Sequence, residues 1–347
     1  MEVESVVKEP SFAETVKEQQ AKWRKTWDTH PSEGSHPHVL PPNRWLDGAW
    51  EPIRQPLEEY IRVTRISPNR FRHHLNSSWT QCANMYLPFR TESHPRQMLA
   101  TFLSSVLNLE VASIDALELE YAAPGNFSPR RLLGERGGGR GTGKTSPDVA
   151  MTFHCRDGST GLYLVENKYT EQAFEPCSAT RAVLDKEHEK RGLPGNPEPR
   201  RCLDIFSVVD SPHTLCHQEH PEWGRAYWSL LAPQVVEGSL YSLRGCPARK
   251  RGYQLLRHQA LAQGIADSRL FDTVVHGISY DARNTTLLSC LEDVGLPSFV
   301  HDWPGLFKSD VRFVCFTHQH FVGFVREKGS EPVKRWAEYM TERYDYA

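Results

Sequence analysis

Residues 147–169 read PDVAMTFHCRDGSTGLYLVENKY, two β-prone apolar runs on either side of an Asp-Gly turn. Such a segment closes as an antiparallel hairpin, and the hairpin decides which residues face one another. With the turn centred near Asp157–Ser159, paired positions sum to about 314–318, which sets Asp148 opposite roughly residues 166–170. Glu166 and Lys168 are two apart and share one face of their strand, while Val165 and Asn167 face the other. An Asp, a Glu and a Lys thus meet at the end of a strand that is otherwise apolar (Leu162, Tyr163, Leu164, Val165). Three charges in that setting are costly unless they serve chemistry. Two carboxylates at a sheet edge suit Mg²⁺ or Mn²⁺ and leave positions for water and a phosphate. A bound divalent cation acidifies water and stabilises charge on a phosphorane. A neighbouring lysine orients or deprotonates the attacking water and stabilises phosphate oxygens.

The residues just before this hairpin, GGGRGTGKT, match a second pattern, G-x-x-x-x-G-K-[ST], from Gly138 to Thr145. A working phosphate loop needs a strand running into it and a helix starting at its Lys-Thr. The flank before the glycines is polar, and Pro147 turns Ser146 away from helical geometry. The match is therefore read as a flexible loop. It remains basic, with Arg130, Arg131, Arg136, Arg140 and Lys144 against Glu135. A glycine-rich basic loop can approach a phosphodiester backbone closely, so Arg136, Arg140 and Lys144 are candidate substrate contacts.

The order of elements predicts an α/β fold with a mixed sheet. Residues 1–52 are polar, with a helix over Phe12–Trp27 and a Pro/His-rich stretch, and read as an arm or linker. Residues 53–347 read as one domain with a core over about 76–280. Its helices are expected at 53–66, in NSSWTQCANMYL and in HPRQMLATFLSSVLNL. Strands follow at 115–121, 147–153 and 161–169. A long insertion at about 170–248 precedes a helix at 250–266, and further strands are expected at 271–280 and 311–325.

The Pro147-Asp148 pair followed by Glu166-Asn167-Lys168 resembles the PD-(D/E)XK, or restriction-endonuclease-like, nuclease superfamily. The resemblance implies a helix–strand–strand–strand–helix–strand core, here with the long insertion and the N-terminal arm. It implies Asp148 and Glu166 as metal ligands, Lys168 as the catalytic lysine, Mg²⁺ or Mn²⁺ as the cofactor, and hydrolysis of phosphodiester bonds in DNA. Several members carry a polar motif on the next helix, and YQLLRHQ fits that slot. Gln254, Arg257 and His258 share one face there, and Gln254 and Arg257 are further candidate substrate contacts. The superfamily often adds an acid on its first helix; Glu92, and Glu120 on the first strand, are the candidates. Arg249, Lys250 and Arg251 stand at the start of the later helix, where positive charge opposes the dipole, so a phosphate nearby would account for them. Ser77 and Ser78 either cap a helix or reach the site. The rival reading is a catalytically silent nucleic-acid-binding or scaffold protein on the same fold, and the intact trio argues against it.

Composition excludes other classes. The net charge of −2 points to no partner by itself. No apolar run is long enough to span a bilayer, and the charged N-terminus has no secretory h-region, so a cytoplasmic protein with no membrane partner is expected. Eight cysteines without a C-x-x-C pair are expected as reduced, buried thiols. No G-x-S-x-G supports a Ser/His/Asp hydrolase.

Overall fold

The computed structural model describes residues 9–29, 36–67, 69–136, 138–183 and 186–346. The chain is mixed α/β. Its long helices are α1 (Phe12–Arg24), α2 (Arg54–Thr64), α3 (Ser78–Tyr86) and α4 (Ser93–Leu107). Strands β1 (Val111–Leu119), β2 (Val149–Cys155) and β3 (Thr160–Lys168) follow, then α5 (Tyr253–Asp267) and β4 (Thr273–Tyr280). Two short strands, β5 (Arg312–Phe313) and β6 (Phe316–Thr317), lead into α6 (His318–Lys328) and α7 (Glu331–Tyr344). Among the described residues, no helix is long and apolar enough to cross a membrane.

The sheet runs β1-β2-β3-β4-β5, with β6 pairing the far end of β4. The first three strands are antiparallel and β4 lies parallel to β3. That mixture follows from the connections. The turn after Cys155 allows only a hairpin, whereas the return from β3 to β4 goes through the insertion and α5, which permits a parallel crossover. β3 is buried along nearly its whole length, as expected of a strand flanked on both edges and covered on both faces.

Period-two alternation divides the side chains between two cores. Val149, Met151, Phe153, Tyr163 and Val165 face a layer that includes Phe102, Phe321, Trp336 and Met340. Ala150, Leu162, Leu164 and Ile278 face α5 and the insertion, including Leu261, Ile265 and Trp228. Gly277 on β4 allows the tightest approach in the sheet, because a Cβ there would sit 1.6 Å from the Val314 carbonyl oxygen.

Two expectations change. The N-terminal segment is not a free arm in its described residues. Val16 and Gln20 of α1 are buried, and Gln20 Nε2 donates to the Arg343 carbonyl of α7 at 2.9 Å. The Arg343 guanidinium stacks on Trp23 at 4.4 Å. The polar composition that suggests a linker is the outer face of an amphipathic helix. The expected strand at 311–325 breaks at Thr317, whose side chain caps α6 by accepting from the His320 N–H at 3.0 Å. Phe321, Val322 and Val325 then form a helical buried stripe. Aromatic and β-branched density suggested a strand, and the cap and the i, i+1, i+4 spacing prevailed.

Candidate active site

The hairpin closes in register, with Val149 opposite Val165 and Ala150 opposite Leu164. On the other side Leu119 stands opposite Val149. One step further, the Glu120 N–H donates to the Asp148 carbonyl at 2.8 Å. Asp148 Oδ2 accepts from the Asn167 N–H of β3 at 2.7 Å. Glu120, Asp148 and Glu166 therefore occupy one rung across three neighbouring strands, and Lys168 lies one strand repeat beyond on the face of Glu166. Lys168 Nζ donates to Glu166 Oε1 at 2.8 Å and to Gln254 Oε1 of α5 at 2.9 Å.

The electrostatics follow from this crowding. Burial first, then Glu166 and Glu120, raises the Asp148 carboxyl well above its ordinary range. Burial and Glu166 push Glu120 up to about 7. Burial alone would lower Lys168, but Glu166, Glu171 and Asp148 outweigh it and hold the ammonium raised. His258 Nδ1 lies 3.6 Å from Glu166 Oε2. Burial, Arg257 and Lys168 bring that imidazole down to about 3, so it is neutral at pH 7 and makes no ion pair with Glu166. The site holds more acid than the one ammonium can balance. No group of three or more His, Cys, Asp or Glu side chains among the described residues is arranged as it stands to hold a metal ion.

Behind the rung, the opposite face of β3 is locked. Asn167 accepts from Ser279 Oγ at 2.9 Å, and its amide donates to Gln81 Oε1 of α3 at 2.7 Å. His318 Nε2 lies 3.0 Å from Asn167 Oδ1. These contacts hold the backbone that carries Glu166 and Lys168. The Ser77-Ser78 pair takes neither expected part directly: α3 starts at Ser78 without a side-chain cap, and the Ser78 carbonyl faces the Asn167 amide at 3.4 Å. Trp79, one residue on, hydrogen-bonds Glu120.

The expected substrate contacts separate into two groups. Arg140 is not available to a backbone phosphate. Its guanidinium donates to the carbonyls of Glu120 and Leu119, to Tyr60 Oη and to Glu118 Oε2, all within 2.9 Å. Arg257 is also spent inside the protein, on Thr145 Oγ1 at 3.0 Å and Glu135 Oε1 at 3.3 Å. Burial alone would raise Glu135, yet Arg257, Thr145 and Tyr227 hold it below its ordinary value. In sequence Arg257 looks free on its helix, because its acidic partner beside the glycine-rich loop lies 122 residues away. Arg136 and Arg251 are exposed and Lys144 is half-buried. Lys250 is exposed and pairs with Asp293 at 2.8 Å on the surface. Arg249 is half-buried and lines an internal cavity. The basic triplet precedes α5 rather than forming its first turn, because the helix begins only at Tyr253 after Gly252.

Glu92 lies outside this arrangement, exposed at the start of α4. Glu120 is the acid that sequence reasoning could weigh only faintly. Its signal was one residue at the end of DALELEY, and its placement depends on a left-handed backbone, φ 50°, that turns the chain out of β1. The loop from Gly138 to Thr145 carries an isolated β-bridge between Gly139 and Thr142, and no helix begins at Lys144. The Thr145 N–H and hydroxyl are both donated to Glu135, which agrees with setting the phosphate-loop pattern aside.

No curated protein and no solved structure shows significant similarity to the chain. One family model matches residues 8–345, nearly the whole sequence, and is described as "Restriction Endonuclease associating with ARP". The chain therefore belongs to that restriction-endonuclease-like family, REase-ARP.

Proposed function

We propose that the protein is a metal-dependent nuclease that hydrolyses phosphodiester bonds in DNA. The observation that carries this is the single rung of Glu120, Asp148 and Glu166 with one protonated lysine at its side. The order α4-β1-β2-β3-α5-β4 around it supports a restriction-endonuclease-like core. Membership in a restriction-endonuclease-like family supports the chemistry.

The donor set suits a hard divalent cation. Asp148 and Glu166 offer carboxylate oxygens, and the excess acid leaves a charge deficit that Mg²⁺ or Mn²⁺ relieves. Two carboxylates with water and a substrate phosphate are an ordinary Mg²⁺ environment. When bound, the cation supplies Lewis acidity and charge neutralisation at the phosphate.

The chain's own residues perform the remaining work. Lys168 holds its proton against Glu166 and Asp148, so it acts as a donor that orients the nucleophile and stabilises charge on the phosphate oxygens. Gln254 fixes the Lys168 ammonium from the opposite side. Neutral His258 packs against Glu166 without competing for its charge. Glu120, with its carboxyl near 7, is poised to accept or release a proton at neutral pH. Among the expected contacts, the exposed Arg136 and Arg251 and the half-buried Lys144 are the basic side chains left to meet a DNA backbone.

The test is incubation of purified protein with supercoiled plasmid and with linear single-stranded DNA, with Mg²⁺ or Mn²⁺ and with chelator. Asp148→Ala and Lys168→Ala run beside it after a folding check. Cation-dependent cleavage that both variants lose supports the assignment. Cleavage that survives in folded variants, or no cleavage of either substrate at any cation concentration, refutes it.

A further inference from the structure

The β1 edge of the sheet carries a basic recess that the rung does not use. Tyr60 and Thr64 of α2, Arg90, Arg96 and the β1 stretch from Asp115 to Glu118 line it, and it holds about 380 Å³. Arg90 stands on a short helical turn, Pro88–Thr91, between α3 and α4. Its guanidinium lies over the Tyr60 ring at 4.5 Å. Its Nε is buried with no hydrogen-bond partner, and among the described residues no carboxylate or carbonyl accepts from its other nitrogens. An arginine that merely stacked on a surface aromatic would keep all its donors in water. A buried donor left unpaired is costly, so the arrangement calls for an anion in the recess.

The neighbouring charges are committed elsewhere. Arg96, in the first turn of α4, donates to the Arg90 carbonyl and to the Asp115 carbonyl at 3.5 Å, which fastens the turn carrying Arg90 to β1. Arg140 lies 5.7 Å from the same Tyr60 ring and takes Glu118 at 2.9 Å. Asp115 faces His154 at 3.1 Å. Both carboxylates of the recess thus have partners of their own, and Arg90 is the cation without one. The strand edge is closed to a docking polypeptide. Tyr60 Oη meets the Leu119 N–H at 2.9 Å and the Leu119 carbonyl at 3.3 Å, Arg140 donates to that carbonyl at 2.7 Å, and Arg96 takes the Asp115 carbonyl. These are the backbone groups an added strand would need. A phosphate needs none of them, and its oxygens match the planar donor fork of a guanidinium.

We propose that this recess holds one backbone phosphate of bound DNA, with Arg90 as the donor and with Tyr60 and Arg96 fixing where it points. The proposal rests on the nuclease reading of the rung and adds to it a place where the substrate strand is gripped. Along β1, Glu118 is two residues from Glu120 and Asp115 is five. At about 3.3 Å per strand residue, the recess runs from about 7 Å to about 17 Å away from the rung. Phosphates along one strand rise about 3.4 Å each, so the phosphate held is about two to five nucleotides from the one at the rung. Such a contact sets the position of the strand and reads no base. Tyr60 links the two places, because the ring under Arg90 is bonded through its hydroxyl to Leu119, the residue before Glu120.

The experiment is fluorescence anisotropy of the full chain with a labelled short duplex and a labelled single strand, in chelator so that nothing is cut, over a series of NaCl concentrations. Arg90→Ala, Arg90→Met and Arg90→Lys run beside wild type. Arg326→Ala is the control, an exposed arginine of α6 that lines no part of the recess. Arg90→Ala and Arg90→Met should weaken binding about tenfold and lower the slope of log K against log salt by about one. Arg90→Lys should keep the slope, and Arg326→Ala should match wild type. Arg90→Met preserves the stem against Tyr60, so it carries the test if the alanine variant does not fold. Wild-type affinity and slope in a folded, charge-free Arg90 variant overturn this proposal and leave the nuclease reading standing. No wild-type binding to either DNA overturns both. A thermal melt with added inorganic phosphate separates a free anion from a backbone one. Stabilisation of wild type but not of Arg90→Ala, with DNA binding equal in the two, assigns the recess to free phosphate and also overturns the proposal.

Discussion

Glu120→Gln should stabilise the cation-free protein far more at alkaline pH than in mild acid. Glu120 is raised from 4.5 to about 7 by burial and by Glu166. A raised carboxyl means that the folded state keeps a proton the unfolded chain has released. Stability is therefore fully present below about pH 4.5 and falls as pH rises to about 7. At about 1.36 kcal/mol per unit, the ionised side chain costs the fold about 3 kcal/mol above pH 7. Glutamine keeps the size and the acceptor oxygen that meets Ser146 and Trp79, and it carries no charge. Urea denaturation in chelator at pH 5 and at pH 8 reads the difference. The variant should lie within about 1 kcal/mol of wild type at pH 5 and gain about 3 kcal/mol at pH 8, seen as a higher midpoint at constant slope. Adding Mg²⁺ at pH 8 should narrow the gap, because wild type then gains more from cation binding. A variant that is equally or less stable than wild type at pH 8, or that gains the same amount at both pH values, would show that the acids on the rung do not repel one another as described.

Other expectations rest on particular contacts. Arg257→Ala should destabilise by about 3–5 kcal/mol, because it leaves Glu135 charged at 1% side-chain exposure; Glu135→Gln combined with it should recover part of that loss in a double-mutant cycle. Gly277→Ala should prevent stable folding, since its methyl would lie 1.6 Å from a backbone oxygen that cannot retreat; circular dichroism and soluble yield read this directly. Arg136→Ala and Arg251→Ala should leave the unfolding midpoint unchanged and lower the salt slope of DNA binding by about one each. Arg140→Ala should instead cost stability, because it strips donors from the end of β1; a titration against salt beside a thermal melt separates the two outcomes.

Much of the candidate site's geometry was already legible in one stretch of chain. A hairpin has a fixed period, so residues 147–169 alone set Asp148 opposite roughly residues 166–170 and Lys168 on the face of Glu166, and the observed register puts Asp148 level with Glu166. The order of long elements and the helix that carries Gln254 were readable for the same reason, since local periodicity dictates them. What lay beyond local periodicity was decided in three dimensions. Glu120 joins the rung through a left-handed residue just past β1. Arg140 and Arg257 look like free basic charge until their partners, far away in sequence, consume them. The 311–325 segment needed a threonine cap to choose helix over strand. The polar N-terminus becomes a docked helix only because Arg343 and the 331–344 helix are there to receive it. The cysteines of the insertion, far apart in sequence and free of disulfides, line one small cavity because long-range packing, which no local pattern encodes, brings their four segments together.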